Sequence, residues 1–134
     1  MEKYIEVYFL KNAGYVILIP AEKTEENIRK SVAMGVGELI EYLGGLRGIQ
    51  DVRDSMLRID KVKFQDKHNF TMNYKFHTNW GQIEIIVEFN QFSKPKARWG
   101  SEGIYGDSYS DWEEIISIAT LPYYSVIDIL GGML

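Results

Sequence analysis

A chain of 134 residues, 46% of them apolar, is the size of one domain and can bury a core without covalent staples. It has no cysteine, which removes disulfides, thiolate nucleophiles and cysteine-ligated metals together. Its net charge of −4 is segregated: residues 1–57 carry 9 acids and 7 bases, residues 58–98 carry 4 acids and 8 bases, and residues 99–134 carry 6 acids and no base. The basic middle and acidic end can neutralise each other within the fold or across an oligomer. No apolar run reaches the ~20 residues a bilayer demands. The opening MEKYIEVYFL alternates, with acids at Glu2 and Glu6, and is expected to be a strand rather than a signal peptide. A cytoplasmic protein without membrane contact is expected.

Tyr4–Leu10 and Tyr15–Pro20 alternate with period two around Lys11-Asn12-Ala13-Gly14, a hairpin that sets Phe9 opposite Val16 and Val7 opposite Leu18. Both of its faces are apolar, so both need cover, from helices of the chain or from another subunit. Thr24 is placed to cap a helix over Glu25–Leu43, with Ile28, Val32, Val36, Leu39, Ile40 and Leu43 as its stripe. Glu25–Arg29 and Glu26–Lys30 would add i,i+4 pairs, and Gly44-Gly45 would end it. Gly35 and Gly37 are each a cost of about 1 kcal/mol inside such a helix.

Arg47–Ser55 reads as a polar connection with a short helical turn. Met56–Asp66 is strand-like but changes phase, which a bulge near Asp60 would reconcile. A second hairpin follows, pairing Phe76 with Ile83, Tyr74 with Ile85, Met72 with Val87 and Lys75 with Glu84 about a loop at Thr78–Gly81. Gln91–Arg98 is a basic loop stopped by Pro95. Asp111 is placed to cap a helix carrying Trp112, Ile115, Ile116 and Ile118, broken at Leu121-Pro122 and resumed over Tyr123–Leu130. The order ββα–βββ–αα predicts a single α+β domain with an antiparallel sheet of about five strands packed on helices.

Catalytic and metal signatures are weak. Asp66, His68 and His77 do not have the spacing of a zinc, iron or calcium site, and neither a cofactor nor a metal is expected. Glu84 and Glu88 lie ~13 Å apart along one strand face, too far for a carboxylate pair. No nucleophile elbow, phosphate loop or dinucleotide fingerprint is present, so a non-catalytic protein is expected. Lys94, Lys96 and Arg98 beside Trp99, with Lys61, Lys63, Lys67 and Lys75, could meet phosphates, but the acids downstream argue against direct nucleic-acid binding.

The distinctive stretch is Trp99–Glu114, WGSEGIYGDSYSDWEE. Trp99, Tyr105, Tyr109 and Trp112 interleave with Glu102, Asp107, Asp111, Glu113 and Glu114, a combination suited to binding a basic protein surface. The expectation is an inhibitor of a nuclease or nucleic-acid-handling complex, of the immunity-protein or phage-encoded anti-defence kind, with carboxylates standing where the target expects phosphates. A plainer reading places Trp112 in the core and the acids from Asp111 on at a helix start, leaving Trp99–Ser110 as a recognition loop. Two alternatives stay open. One is a self-assembling structural or accessory protein, joined through the first hairpin and Ser125–Leu134. The other is a small-ligand-binding domain with a pocket formed by Tyr8, Tyr15, Tyr74, His77 and Trp80.

Overall fold

Most of the chain alternates in a two-residue period, and strand formation wins wherever a sheet edge needs a partner. The structure, a computed structural model, describes residues 3–79, 81–103 and 106–131, without the side chains of residues 78, 102, 103, 106, 107 and 131. The elements are β1 (Tyr4–Leu10), β2 (Tyr15–Pro20), α1 (Glu25–Arg29), β3 (Val32–Gly35), α2 (Val36–Leu43), α3 (Ile49–Ser55) and β4 (Leu57–Asp66). They continue with β5 (Asn69–Thr78), β6 (Gly81–Phe89), β7 (Lys96–Gly103), β8 (Gly106–Tyr109), β9 (Glu113–Glu114), β10 (Ile116–Pro122) and α4 (Tyr123–Gly131). Among the described residues the strands form one ten-stranded antiparallel sheet, ordered β10-β1-β2-β3-β4-β5-β6-β7-β8, with β9 also on β7. The sheet curls into a half-barrel. The expected five-strand sheet packed on helices is therefore incorrect, for two local reasons.

The helix expected over Glu25–Leu43 is interrupted. Thr24 does cap α1, its Oγ1 accepting from the Asn27 N–H at 3.1 Å, and the Glu25–Arg29 and Glu26–Lys30 pairs form at 3.9 Å. Beyond Lys30, however, Val32, Ala33 and Met34 extend along β2, pairing Leu18 with Val32, Ile17 with Ala33 and Val16 with Met34. All three are fully buried, which a strand between two apolar layers provides and a surface helix does not. Gly35 is then the residue before α2, outside any helix interior. Gly37 sits in open space, and nothing in the structure explains it.

The helix expected from Asp111 does not form either. Glu113–Glu114 pairs with β7, and Ile116–Pro122 pairs with β1. Ile115, Ile116, Ile118 and Thr120 are β-branched and suited to strand, and β1 otherwise lacks a second neighbour. The expected basic loop is shortened likewise, because Lys96, Ala97 and Arg98 belong to β7.

Both hairpins have the expected registers, and β4 shifts register between Ile59 and Lys61 as its phase change requires. The second hairpin is tighter than expected, its pairing continuing to Thr78 and Gly81. The first hairpin separates two cores. Tyr8, Leu10, Ile17 and Ile19 face the concave side with Phe70, Met72, Tyr74, Ile85 and Val87. Val7, Val16 and Leu18 face the other way, against Leu39 of α2, Val52 of α3, and Val126 and Ile129 of α4. Both apolar faces are thus covered from within the chain, which removes the observation behind assembly through this hairpin.

Ile17 and Leu18 are adjacent, fully buried and in opposite cores. Ile17→Ala and Leu18→Ala should each lower stability by about 2–5 kcal/mol in chemical denaturation. A near-neutral result for either would mean that its face is open to solvent.

Candidate functional site

β7 alternates between the core and the surface. Ala97 is buried beside Val87, while Lys96 and Arg98 lie opposite Glu88 and Ile86 on the convex face. The far edge of β7 is shared. β8 pairs with Gly100–Gly103, and β9 pairs with Lys96 and Ala97. Between them Ser110 makes the link, its N–H donating to the Trp99 carbonyl at 2.8 Å and its Oγ accepting from the Trp99 N–H at 3.1 Å.

This path lays aromatic rings over the two cations of β7. The Arg98 guanidinium is 5.0 Å from the Trp112 ring centroid and 5.5 Å from that of Tyr109. Lys96 Nζ is 5.1 Å from the Trp112 ring. Each such contact is worth roughly 0.5–1 kcal/mol at a partly exposed site. Gly100 makes room for Tyr109: a Cβ there would sit 2.3 Å from its Cδ1 and 2.4 Å from the Ser108 carbonyl oxygen.

Trp99 and Trp112 remain 38% and 39% exposed. The expectation that Trp112 is core is thus incorrect, because the segment is extended and Ile115 turns inward in its place. Asp111 and Glu114 are exposed, Glu113 is half-buried, and Glu114 lies opposite Lys96. Lys96 is also 3.9 Å from Glu88. The backbone register sets Glu102 directly opposite Asp107, although those two side chains and the whole of Tyr105 lie outside the described residues. Trp99, Tyr109, Asp111, Glu113 and Glu114 therefore come together on one edge, joined by Lys96, Arg98 and Trp112. The signal for the two cations was present in the sequence, since the basic run ends where the aromatic run begins.

The remaining candidates separate. The Asp66 carboxylate accepts from the His68 N–H at 2.8 Å and the Asn69 side-chain amide at 3.0 Å, which hold it below the usual carboxylate range. It shapes the β4–β5 turn, whereas His77 is roughly 25 Å further along β5. Tyr8, Tyr15 and Tyr74 face the concave core, His77 is on the opposite face of the sheet, and Trp80 lies outside the described residues. Lys75 contacts Asp60 at 3.6 Å and Glu84 at 3.8 Å, so acids interrupt the cations of the convex face.

A cavity of about 480 Å³ opens at the end of the half-barrel, lined by Glu6, Tyr8, Lys23, His68, Phe89 and Pro95. Glu6 has the same parity as Tyr8 and Leu10, the sign that a carboxylate faces the concave side. Lys23 Nζ donates to Glu6 and to the Ala21 carbonyl at 3.2 Å. The Tyr8 ring meets Phe89 edge-on at 5.3 Å. The Glu6 carboxylate and the Lys23 ammonium in this cavity thus pair with each other. A second cavity of about 450 Å³ lies beside Ile5, Tyr123 and Leu130. Its lysines are engaged as well, Lys3 by the Tyr123 ring at 5.9 Å and Lys30 by Glu26 at 3.9 Å.

Burial first, and Glu6 second, push the Tyr8 hydroxyl up to about 12. An unfolded tyrosine ionises near 10, so between those values the unfolded state loses its proton while the folded state retains it. Stability should therefore be unaffected by this group below about pH 10 and fall between about pH 10 and 12. Denaturation across that range should show a shallower fall in Tyr8→Phe. An unchanged alkaline slope would mean that Tyr8 is not the group responsible. Gly100→Ala should cost about 1–3 kcal/mol and alter the near-ultraviolet circular dichroism of the aromatic stack. A wild-type spectrum and stability would show that Tyr109 does not lie against Gly100.

The chain matches no protein-family model, no curated protein and no solved structure.

Proposed function

We propose that this protein is a non-catalytic binding module whose β7–β9 edge engages a basic protein surface. The observation that carries this reading is the half-exposed Trp112–Arg98–Tyr109 stack set among carboxylates. Tryptophan, tyrosine and arginine are the residues that most often dominate binding energy at protein interfaces. Here they hold one another in place before a partner arrives, which reduces the ordering cost of association.

The charge around the stack supports a basic partner. Lys96 and Arg98 are turned under the rings, while Asp111 and Glu114 are exposed beside them. Glu102 and Asp107 add acidic positions at the far end of the same edge. Such a surface steers a cationic protein and repels nucleic acid. In this reading the module inhibits a nuclease or another nucleic-acid-handling protein by covering its phosphate-binding surface. The cytoplasm is the proposed setting.

The test compares three immobilised chains, wild type, Trp112→Ala and the combined Asp111→Asn, Glu113→Gln, Glu114→Gln variant, against basic nucleases. Trp112→Ala should weaken the wild-type complex by about 30-fold or more, the loss of one interface anchor. The charge variant should mainly slow association and reduce its salt dependence. A partner held equally by all three folded chains would exclude this edge as the binding surface.

A further inference from the structure

β10 ends the sheet on the side away from β7 and β8, pairing with β1 along one edge. Among the described residues its other edge beyond Ile116 has no strand partner. Residues 116–120 are exposed in succession, Ile116 at 62% and Ile118 at 46%. Tyr124 and Ile127 of the following α4 are exposed too. Open strand edges are usually guarded by lysine, proline, inward charge or a bulge, and of these β10 has the bulge at Ile118. Here residues 115–127 hold no charged side chain at all, in a chain that is 25% charged, and proline occurs only at position 122, where the strand ends.

We propose that the β10 edge is a self-association surface, which pairs antiparallel with β10 of a second copy of this chain. A two-fold axis sets a surface against itself, so any charge on it meets or neighbours its own like. The uncharged run 115–127 avoids that repulsion, although each chain carries a net charge of −4. β10 bulges at Ile118, between Ser117 opposite Tyr8 and Ala119 opposite Val7, and an antiparallel approach of two copies there lets the exposed Ile116 and Ile118 of each cover apolar surface of the other. The pairing of β10 with β1 shifts register between Val7 and Tyr8, which bends the strand and confines the new ladder to a few residues. So short an interface belongs to the weak, reversible class, with a dimer that forms in a concentration-dependent way at micromolar to millimolar levels. It leaves the β7–β9 edge free, and it stands or falls independently of what that edge binds.

Sedimentation velocity over a concentration series, at more than one salt concentration, should show a reversible monomer–dimer equilibrium that salt does not weaken. Ile118→Lys should shift it to monomer with an unchanged thermal midpoint, because the side chain is exposed. The chain has no cysteine, so Ile118→Cys gives a second readout free of background. Mild oxidation should yield a cross-linked dimer that Ser93→Cys, on an exposed loop, does not. A strict monomer throughout the series would overturn the proposal. So would a dimer that Ile118→Lys leaves intact, or capture of an unrelated strand-forming peptide by a chain that stays monomeric.

Discussion

The β1–β2 hairpin is apolar on both faces, and the rest of the molecule is arranged to hide them. One sheet face cannot be buried by the same layer as the other, so two different solutions are used. On the concave side the sheet curls until β5 and β6 lie over Tyr8, Leu10, Ile17 and Ile19. On the other side α2, α3 and α4 lie over Val7, Val16 and Leu18. β3 extends the same arrangement by one strand, with Ala33 on the concave side and Val32 and Met34 under the helices. The register shift at Ile59–Lys61 changes which side chains of β4 face the concave core.

The segment from Glu113 to Pro122 shows how a sheet edge can override local propensity. Its first two residues pair with β7 and the rest with β1, so one extended stretch touches both ends of the curled sheet. Ile115 is the crossing point. It is buried in the concave core, and its N–H donates to the Pro95 carbonyl at 2.9 Å. A helix at this position could have had a good cap at Asp111, yet it would have left β1 with one neighbour and the barrel corner unfilled.

What could be read from the residues follows from the range of the interactions. The two hairpins were legible down to their registers, because alternation and turn length act within some twenty residues. The β4 bulge was legible because a phase change in an alternating run has few other causes. β3 and β10 were not: Val32–Met34 continues the helical spacing of Ile28 and becomes strand only against β2, and Ile116–Thr120 only against β1 at the other end of the chain. Gly35 was the available clue, a residue too costly for a helix interior and well suited to the junction it occupies. At the candidate site the sequence identified the aromatic and acidic residues but treated the cations before them as a separate loop. Only the return of β8 and β9 onto β7 joins the two.

That joining changes what the segregated charge means. The last quarter of the chain has no base of its own, and the two cations nearest its aromatics, Lys96 and Arg98, come from the strand it folds back on. Rings rather than carboxylates meet them face-on, which is electrostatically attractive without consuming the acids. Lys96 retains Glu88 at 3.9 Å and faces Glu114, while Asp111 is left exposed. Had the acids been spent on the β7 cations, the edge would be neutral and the tryptophans would serve only as packing. Instead the rings hold the two cations in place without using the carboxylates of residues 99–114, which outnumber them, and the edge is acidic as well as aromatic. It is this division of roles on which the proposed binding of a basic protein rests.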